Sequence, residues 1–185
     1  MVIFFFDFKD TGKQDARALL SSLIVQLSGQ SPFFYHMLSD FYSAHQKGLR
    51  QPSIDALTKC LEDMVNAPRD IPIYIILDAI DECPNTNGIQ SSRDQVLSLV
   101  EEFVKMNVAR FHLCVTSRPE VDVRHSLEPL MPASNRISLH DQSGQKKDID
   151  EFVRAVIFSD KNMRRWRDDD KELVIKTLSE RADGM

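Results

Sequence analysis

The sequence is poor in the residues that mark the more specialised classes of protein. It has six glycines and three cysteines in 185 residues, so a collagen-like repeat and a disulfide-stapled scaffold are excluded. The cysteines form no CxxC pair, which favours a reducing, intracellular setting. The first apolar run, Met1–Phe6, ends at Asp7 and falls far short of the about 20 residues that a membrane span needs. We therefore expect a cytoplasmic protein with no membrane partner.

Positive charge is also scarce. The chain has 28 acidic and 23 basic residues, which gives a net charge of −5, whereas nucleic-acid-binding domains are usually basic. The basic cluster Lys161–Arg167 is followed at once by Asp168–Asp170, which cancel its charge. We expect no nucleic-acid partner. The histidines form no HxxxH or HExxH pair, so the sequence does not predict a zinc site.

Four short apolar runs predict strands, and helical patterns separate each run from the next. Nearly continuous apolar runs are typical of parallel strands that are covered on both faces. The predicted fold is α/β, with an open, mostly parallel sheet of about four strands flanked by helices over residues 1–142, and a helical extension over 143–185. The four runs are Val2–Phe6, Ile73–Leu77, Phe111–Thr116 and Arg136–Leu139.

Serines predict where three of the helices begin. Ser31, which precedes a proline, and Ser53 are the expected N-caps of two helices. The stretch Ser92–Gln95 has the pattern of a capping box with Ser92 as N-cap. In the extension, apolar residues at helical spacing predict two amphipathic helices, one containing Phe152 and one containing Leu173.

The second apolar run ends in an acidic cluster, Asp78, Asp81 and Glu82. Ligands of open α/β sheets bind at the carboxyl edge of the strands, and a carboxylate there needs a cation or a donor. Mg²⁺ with a phosphate is suitable, because this ion takes one or two protein carboxylates plus water and phosphate oxygens. Asp81 and Glu82 could orient an attacking water. The structural alternative is an acidic turn that caps the next helix.

The third apolar run ends in Thr116-Ser117-Arg118-Pro119. If this strand lies beside the second one, Arg118 emerges at the same edge as Asp78, where its planar donors suit a terminal phosphate. The simpler alternative is a turn in which Arg118 pairs with Glu82 or Glu120.

These motifs carry a family resemblance. Leu77–Cys83 resembles the extended Walker B motif of the NACHT group of signal-transducing (STAND) P-loop NTPases, and Thr116–Pro119 is similar to the sensor 1 motif of that group. Phe4–Phe8 and the helix that follows are similar to the strand and helix after the phosphate loop. The details resemble the nephrocystin 3-like N-terminal domain of large, often fungal, NLR-like repeat proteins. The terminal Glu180–Met185 looks like the start of a segment leading to a winged-helix region.

The resemblance implies both a site and a function. By it, Asp78 holds Mg²⁺, Asp81 and Glu82 serve hydrolysis, and Arg118 with Ser117 contacts the terminal phosphate of ATP or GTP. It also implies a nucleotide-dependent switch that controls assembly, with self-association or other NLR-type signalling proteins as partners.

One departure from the family pattern is large. The sequence contains no GxxxxGKS or GxxxxGKT phosphate loop, and around its one Gly-Lys pair, Gly12-Lys13, it has Asp7 five residues before and Gln14 directly after. We expect this pair to lie in a strand–helix loop. The resemblance places the missing loop and its strand before Val2, with that strand between the third and fourth runs. We therefore expect exposed backbone edges there, or direct pairing of those two strands, and weak or no nucleotide binding.

Two alternatives stay open. A degenerate NACHT-like scaffold would use the fold for protein contacts without turnover, and a phosphate-loop motif encoded upstream would argue against it. A Mg²⁺-dependent nuclease would use Asp7, Asp78, Asp81 and Glu82 as a carboxylate cluster. It would require Asp7 near Asp78, and its activity would survive Arg118→Ala but not Asp78→Ala.

Overall fold

The computed structural model describes residues 1–68, 71–85, 91–138 and 143–181, with the backbone alone for residues 143–146. Over these residues the protein is α/β, as predicted, with seven α-helices and one three-stranded parallel sheet. The chain divides into two compact units, Met1–Met131 and Pro132–Met185. The first unit contains the sheet, and the second is helical.

The sheet confirms the first three predicted strands. They are β1 (Val2–Phe5), β2 (Ile73–Asp78) and β3 (Phe111–Val115), in the order β1-β2-β3. Both pairings are parallel, with Phe5 beside Asp78 and Leu77 beside Val115. Asp78 therefore lies at the carboxyl edge of the central strand.

The fourth predicted strand, Arg136–Leu139, is wrong where the structure describes it. Residues 136–138 form no strand, and Ile137 is 79% exposed; Leu139 lies outside the described residues. A run with one isoleucine between arginine and serine buries too little apolar surface to hold an extended segment, and a strand also needs a partner for its backbone groups. Direct pairing of this run with β3 is thus not found among the described residues.

The expectation that both faces of the sheet are covered is also wrong. Ile73, Ile75 and Leu77 of β2 are buried on one face, whereas Tyr74 on the other face is 46% exposed. An apolar run alone does not distinguish one covered face from two, because tyrosine tolerates both water and packing. The register places three further exposed side chains on this open face with Tyr74. They are Phe5, His112 and Cys114.

Five helices belong to the sheet unit. The first of them, α1, contacts β1 and three of the other helices. Its leucines Leu19, Leu20 and Leu23 are fully buried, so this helix lies at the centre of the core. The five are α1 (Ala16–Ser28), α2 (Pro32–Ala44), α3 (Ile54–Val65), α4 (Ser92–Lys105) and α5 (Val121–Leu127).

Two of the three predicted helix starts are confirmed, and the third is displaced by one residue. Ser31 and Ser53 are the N-caps of α2 and α3. The capping box of α4 uses Ser91 instead of Ser92: the Ser91 hydroxyl accepts from the Asp94 N–H at 3.0 Å, and the Asp94 carboxylate accepts from the Ser91 N–H at 2.9 Å. These bonds lower the pKa of Asp94. A charged acceptor at a helix N-terminus outcompetes the neutral Gln95 amide one residue on.

The outer edge of β1 is closed by side chains. The Gln26 amide accepts from the Ile3 N–H at 3.0 Å and donates to the Ile3 carbonyl at 2.7 Å. Gln30 repeats the arrangement on Met1, accepting from its amino group at 3.1 Å and donating to its carbonyl at 2.7 Å. These two side-chain amides thus make the hydrogen bonds that a neighbouring strand would otherwise make with β1.

The second unit contains α6 (Ser143–Ser159) and α7 (Asp168–Arg181), which pack against each other. Both predicted helices are confirmed, but Phe152 and Leu173 are 69% and 65% exposed, while Ile157 and Ile175 are buried. Of Glu180–Met185, which resembles the start of a segment leading to a winged-helix region, residues 182–185 lie outside the described part of the chain. None of the helices in the described part is long and apolar enough to cross a membrane.

The two faces of β2 predict different costs of truncation. Leu77→Ala empties a fully buried site and should lower the free energy of unfolding by about 2–5 kcal/mol. Tyr74→Ala, on the open face of the same strand, should cost about 1 kcal/mol or less. Denaturant unfolding of both variants measures the difference, and equal losses would contradict the open face.

Candidate functional site

The end of β3 is bonded to the end of β2 through one hydroxyl group. Thr116 donates this hydroxyl to the Asp78 carboxylate at 2.5 Å and accepts from the Ala79 N–H at 2.9 Å. Ala79 has a φ of +57°, a left-handed conformation that costs a non-glycine residue about 1–2 kcal/mol. The contacts to Thr116 hold this sharp turn, and with it the half-buried Asp78, at the carboxyl edge of the sheet.

Asp81 and Arg118 form the second link across this edge. Asp81 accepts from the Arg118 N–H at 3.0 Å, and its other carboxylate oxygen lies 3.5 Å from the Arg118 Nε. The Asp81 side chain is 8% exposed, whereas that of Arg118 is 75% exposed. The carboxylate therefore holds the backbone and the base of the guanidinium, and the rest of that group faces solvent.

The structure thus brings Asp78 and Arg118 to one edge, as the sequence analysis expected, but the partner of Arg118 is neither Glu82 nor Glu120. Ser117, the second predicted phosphate contact, donates its hydroxyl to the Arg118 carbonyl at 2.8 Å. It shapes the turn in which Arg118 lies.

The turn after β2 is also tied to the loop between β1 and α1. Glu82 accepts from the Phe8 N–H at 3.2 Å, and the Cys83 thiol donates to the Gln14 carbonyl at 3.0 Å. One oxygen of Glu82 is used in this contact. Its predicted part in hydrolysis, like that of Asp81, stays a prediction.

The Gly12-Lys13 pair lies in a strand–helix connection, as predicted. It is part of a single 3-10 turn, Thr11–Lys13, whose N-cap Asp10 accepts from the Gly12 N–H. The Lys13 ammonium pairs with the same Asp10 at 3.4 Å. The positive charge of Lys13 is therefore paired with Asp10 within the loop.

Asp7 does not join the acidic residues of β2. Its carboxylate accepts from the Lys9 N–H at 2.8 Å, within its own loop. Across the described ranges, no group of three or more His, Cys, Asp or Glu side chains could hold a metal ion. The carboxylate cluster that the nuclease alternative requires is therefore not formed by these residues.

Arg93, near the start of α4, has a role in this region that the sequence did not predict, as does the Thr116 hydroxyl. Arg93 is 6% exposed and donates to the Cys83 carbonyl at 2.9 Å and to the Asp81 carbonyl. On its other side it pairs with Glu120, and with Asp122 at 3.1 Å. It therefore bonds the turn after β2 to the segment after β3.

The acidic partners of Arg93 stabilise its charged form. Burial acts to lower the pKa of Arg93, but the hydrogen bonds that Arg93 donates to Glu120 and Asp122, together with the negative charges of these two residues, raise the pKa by more. A sequence signal does exist, namely an arginine among the apolar residues of an amphipathic helix. Its acidic partners lie 27 and 29 positions away, too far for local spacing to identify them.

A groove of about 340 Å³ lies over these contacts. Its wall carries charges of both signs, with three carboxylates and two guanidinium groups. The lining residues are Phe8, Asp81, Glu82, Cys83, Pro84, Arg93, Arg118 and Glu120.

The family is decided by comparison of the sequence with family models. Residues 1–118 match the model described as Nephrocystin 3, N-terminal, a range that contains all three strands, Asp78 and Arg118. The chain belongs to the nephrocystin 3 N-terminal family. Comparison with curated proteins and with solved structures gives no significant match.

Membership of this family confirms the resemblance to the nephrocystin 3-like N-terminal domain and is consistent with an NLR-like N-terminal module. The matched range ends at Arg118, so the helical unit Pro132–Met185 lies outside it. The residues that form the Asp78–Thr116 and Asp81–Arg118 contacts all lie inside.

Arg93 should contribute strongly to stability. Arg93→Ala leaves two backbone carbonyls without their donor and two acidic side chains without their partner, so we expect a loss of about 2–4 kcal/mol. The matched control is Arg124→Ala, which removes an exposed pair with Glu128 and should cost less than about 1 kcal/mol. Thermal unfolding compares them, and a loss for Arg93→Ala no larger than the control's would contradict the assignment.

The three cysteines should differ sharply in reactivity. Cys114 is exposed, whereas Cys60 and Cys83 are buried, and burial raises their pKa values to about 11 and about 12. Because the thiolate is the reactive form, a thiol reagent at pH 8 should label Cys114 alone in the folded protein, as mass spectrometry would show.

The same raised pKa values predict a pH dependence of stability. Free thiols ionise near 9.0, but Cys83 keeps its proton to about 12 when folded. The unfolded state alone therefore gains stability from ionisation above pH 9, and the free energy of unfolding should fall as the pH rises further. Cys83→Ser should reduce this slope, and an unchanged slope would show that Cys83 ionises in the fold.

Proposed function

We propose that this chain supplies the Mg²⁺-binding and phosphate-sensing edge of a nucleotide-dependent switch in a cytoplasmic, NLR-like signalling protein. Family membership supports the setting. The observation that carries the proposal is the pair of links at one sheet edge, Thr116 to Asp78 and Asp81 to Arg118, which leave a carboxylate oxygen and a guanidinium available to a ligand.

Asp78 fits a Mg²⁺ ion that is shared with a phosphate. One of its oxygens accepts from Thr116, and no described residue donates to the other. A single carboxylate is sufficient when phosphate and water provide the remaining ligands, and the lack of a three-residue ligand group in the described ranges agrees with this type of site. Bound there, the ion would supply positive charge to the phosphates.

Arg118 fits a sensor of the terminal phosphate. Asp81 contacts the backbone N–H and the Nε of Arg118. The exposed end of the guanidinium is therefore held in position, and its donors remain available to a ligand. Planar donors of this kind bind phosphate oxygens in pairs. Glu82 is the carboxylate left to orient a water for hydrolysis of ATP or GTP.

The missing part of such a site is the phosphate loop. Backbone amides of that loop and the N-terminus of its helix supply most of the field that binds a triphosphate, and no such motif occurs in the 185 residues. We therefore expect the chain to bind Mg-ATP with a Kd of about 1 mM or weaker. The second candidate is a scaffold for self-association or for other NLR-type proteins without turnover, and a phosphate-loop motif encoded upstream would argue against it.

Paramagnetic broadening tests the site even when binding is weak. With millimolar Mn²⁺ and ATP, the amide signals of Ala79 and of residues 116–118 should broaden first in the nuclear magnetic resonance spectrum. Asp78→Asn should abolish this broadening, because the carboxylate is the ion's protein ligand. Arg118→Ala should weaken the response to ATP but not the response to Mn²⁺ alone.

The matched control is Asp63→Asn, which neutralises an exposed carboxylate on α3 that pairs with Lys59 and should leave the broadening unchanged. Broadening that persists in Asp78→Asn would reject the switch and leave the scaffold. Tight binding of Mg-ATP in a calorimetric titration would show that the phosphate loop is not required.

A further inference from the structure

The two arginines that line the groove differ in what their guanidinium groups bind. Arg93 is buried, and its three nitrogens donate to two backbone carbonyls of the turn after β2 and to two carboxylates of the segment after β3. Arg118 is largely exposed, and its guanidinium contacts Asp81 through Nε. Within the described ranges, no hydrogen bond or ion pair uses the two terminal nitrogens of Arg118. Arg118 is therefore the arginine that can meet a ligand, whereas the protein occupies the donors of Arg93.

A phosphate that binds Arg118 must compete with the acidic side chains nearby. Glu120 follows two residues later, lines the same groove and has a side chain that is 44% exposed. The Glu120 N–H donates to the Arg118 carbonyl at 2.8 Å, so the two backbones adjoin. Carboxylates and phosphates bind the same planar donors of arginine. An unpaired Glu120 would therefore occupy the nitrogens that a phosphate needs.

Arg93 holds Glu120 in a different ion pair. The Nη1 of Arg93 donates to Glu120 and also to Asp122, at 3.1 Å, and Asn85 donates to the same Asp122 carboxylate at 2.9 Å. The two carbonyls after β2 fix the guanidinium of Arg93 in place. An ion pair with a buried, hydrogen-bonded guanidinium is screened less by water and salt than one with an exposed guanidinium. Glu120 therefore pairs with Arg93 in preference to Arg118.

The charge balance of the groove depends on this pair. Three carboxylates and two guanidinium groups line the wall, and the pair with Arg93 neutralises Glu120. Without the charge of Arg93, three carboxylates would surround the single guanidinium of Arg118. A cleft with that excess of negative charge repels an anion.

We propose that Arg93 is a positioning residue that pairs with Glu120 and Asp122 and thereby keeps the terminal nitrogens of Arg118 available to a phosphate. The phosphate in this proposal rests on the function proposed above, whereas the pairing requires no ligand. Arg93 itself touches no ligand, because the protein occupies all three of its nitrogens.

Chemical modification of arginine measures this pairing without a nucleotide. Phenylglyoxal reacts with accessible, unpaired guanidinium groups, and mass spectrometry gives the rate at each arginine, with Arg154 on α6 as the internal standard. In the folded wild type, Arg118 should be modified quickly and Arg93 should be protected. Modification of Arg93 as fast as that of Arg118 would overturn the proposal.

Three variants separate the pairing from a merely structural role. Arg93→Met fills the buried site without charge or donors, so Glu120 should pair with Arg118 and slow its modification by roughly threefold to fivefold, the size of an exposed ion pair. Arg93→Lys keeps the charge and should keep the wild-type rate at Arg118. The double variant Arg93→Met with Glu120→Gln lacks the competitor, so its rate should return to that of wild type. If Arg93 had only a structural role, the double variant would be no better than Arg93→Met.

Glu120→Gln alone tests the same claim in a chain that keeps the pair of Arg93 with Asp122. The rate at Arg118 should not change, and an acceleration of about threefold or more would show that Glu120 already pairs with Arg118, which overturns the proposal. An unchanged rate in Arg93→Met with a folded circular dichroism spectrum, or a slow rate in the double variant, would also overturn it. The matched control is Arg124→Met, which removes an exposed arginine paired with Glu128 and should leave the rate at Arg118 unchanged.

Titration with Mg-ATP distinguishes this proposal from the proposed function. In the amide signals of residues 116–118, Arg93→Lys should respond as wild type does, Arg93→Met should respond more weakly, and the double variant should recover. No response in wild type, together with the expected modification rates, would reject the phosphate site and support the pairing. A full response in folded Arg93→Met would overturn the positioning role of Arg93.

Discussion

The parallel pairing of β2 with β3, fixed at its carboxyl end by the Thr116 hydroxyl, is the constraint on which the site depends. Two segments that are 38 residues apart in sequence meet there through one 2.5 Å hydrogen bond. Because parallel strands end at the same edge, the carboxylate of Asp78 and the guanidinium of Arg118 emerge together. Asp81 and the buried Arg93 then hold the turns that follow the two strands.

The same pairing leaves the sheet unfinished on two sides. Its β1 edge is closed by glutamine amides, its β3 edge is open in the described residues, and one face carries exposed Phe5 and Tyr74. Parallel sheets are usually covered on both faces. The resemblance would place the strand of the phosphate loop at the β3 edge, so the proposed nucleotide switch would complete the sheet at that edge.

Sequence patterns predicted what depends on short-range information. Three strands follow from apolar runs, and Ser31 and Ser53 cap helices where a hydroxyl precedes a helical pattern. Prediction failed where the structure depends on groups far apart in sequence, or on local alternatives of similar free energy. The run at 136–138 does not form a strand, two overlapping capping boxes differ by one residue, and the partners of Arg93 lie far along the chain. Which face of β2 is open also depends on the helices, and not on the run itself.

The central claim, that the Thr116 hydroxyl joins the two halves of the site, is tested most directly by a double-mutant cycle. Asp78→Asn, Thr116→Val and the double variant would be compared by denaturant unfolding. A charge-assisted bond of this kind predicts a coupling free energy of about 1 kcal/mol or more between the two positions. Effects that add to within about 0.3 kcal/mol would contradict the contact and the arrangement of the edge built on it.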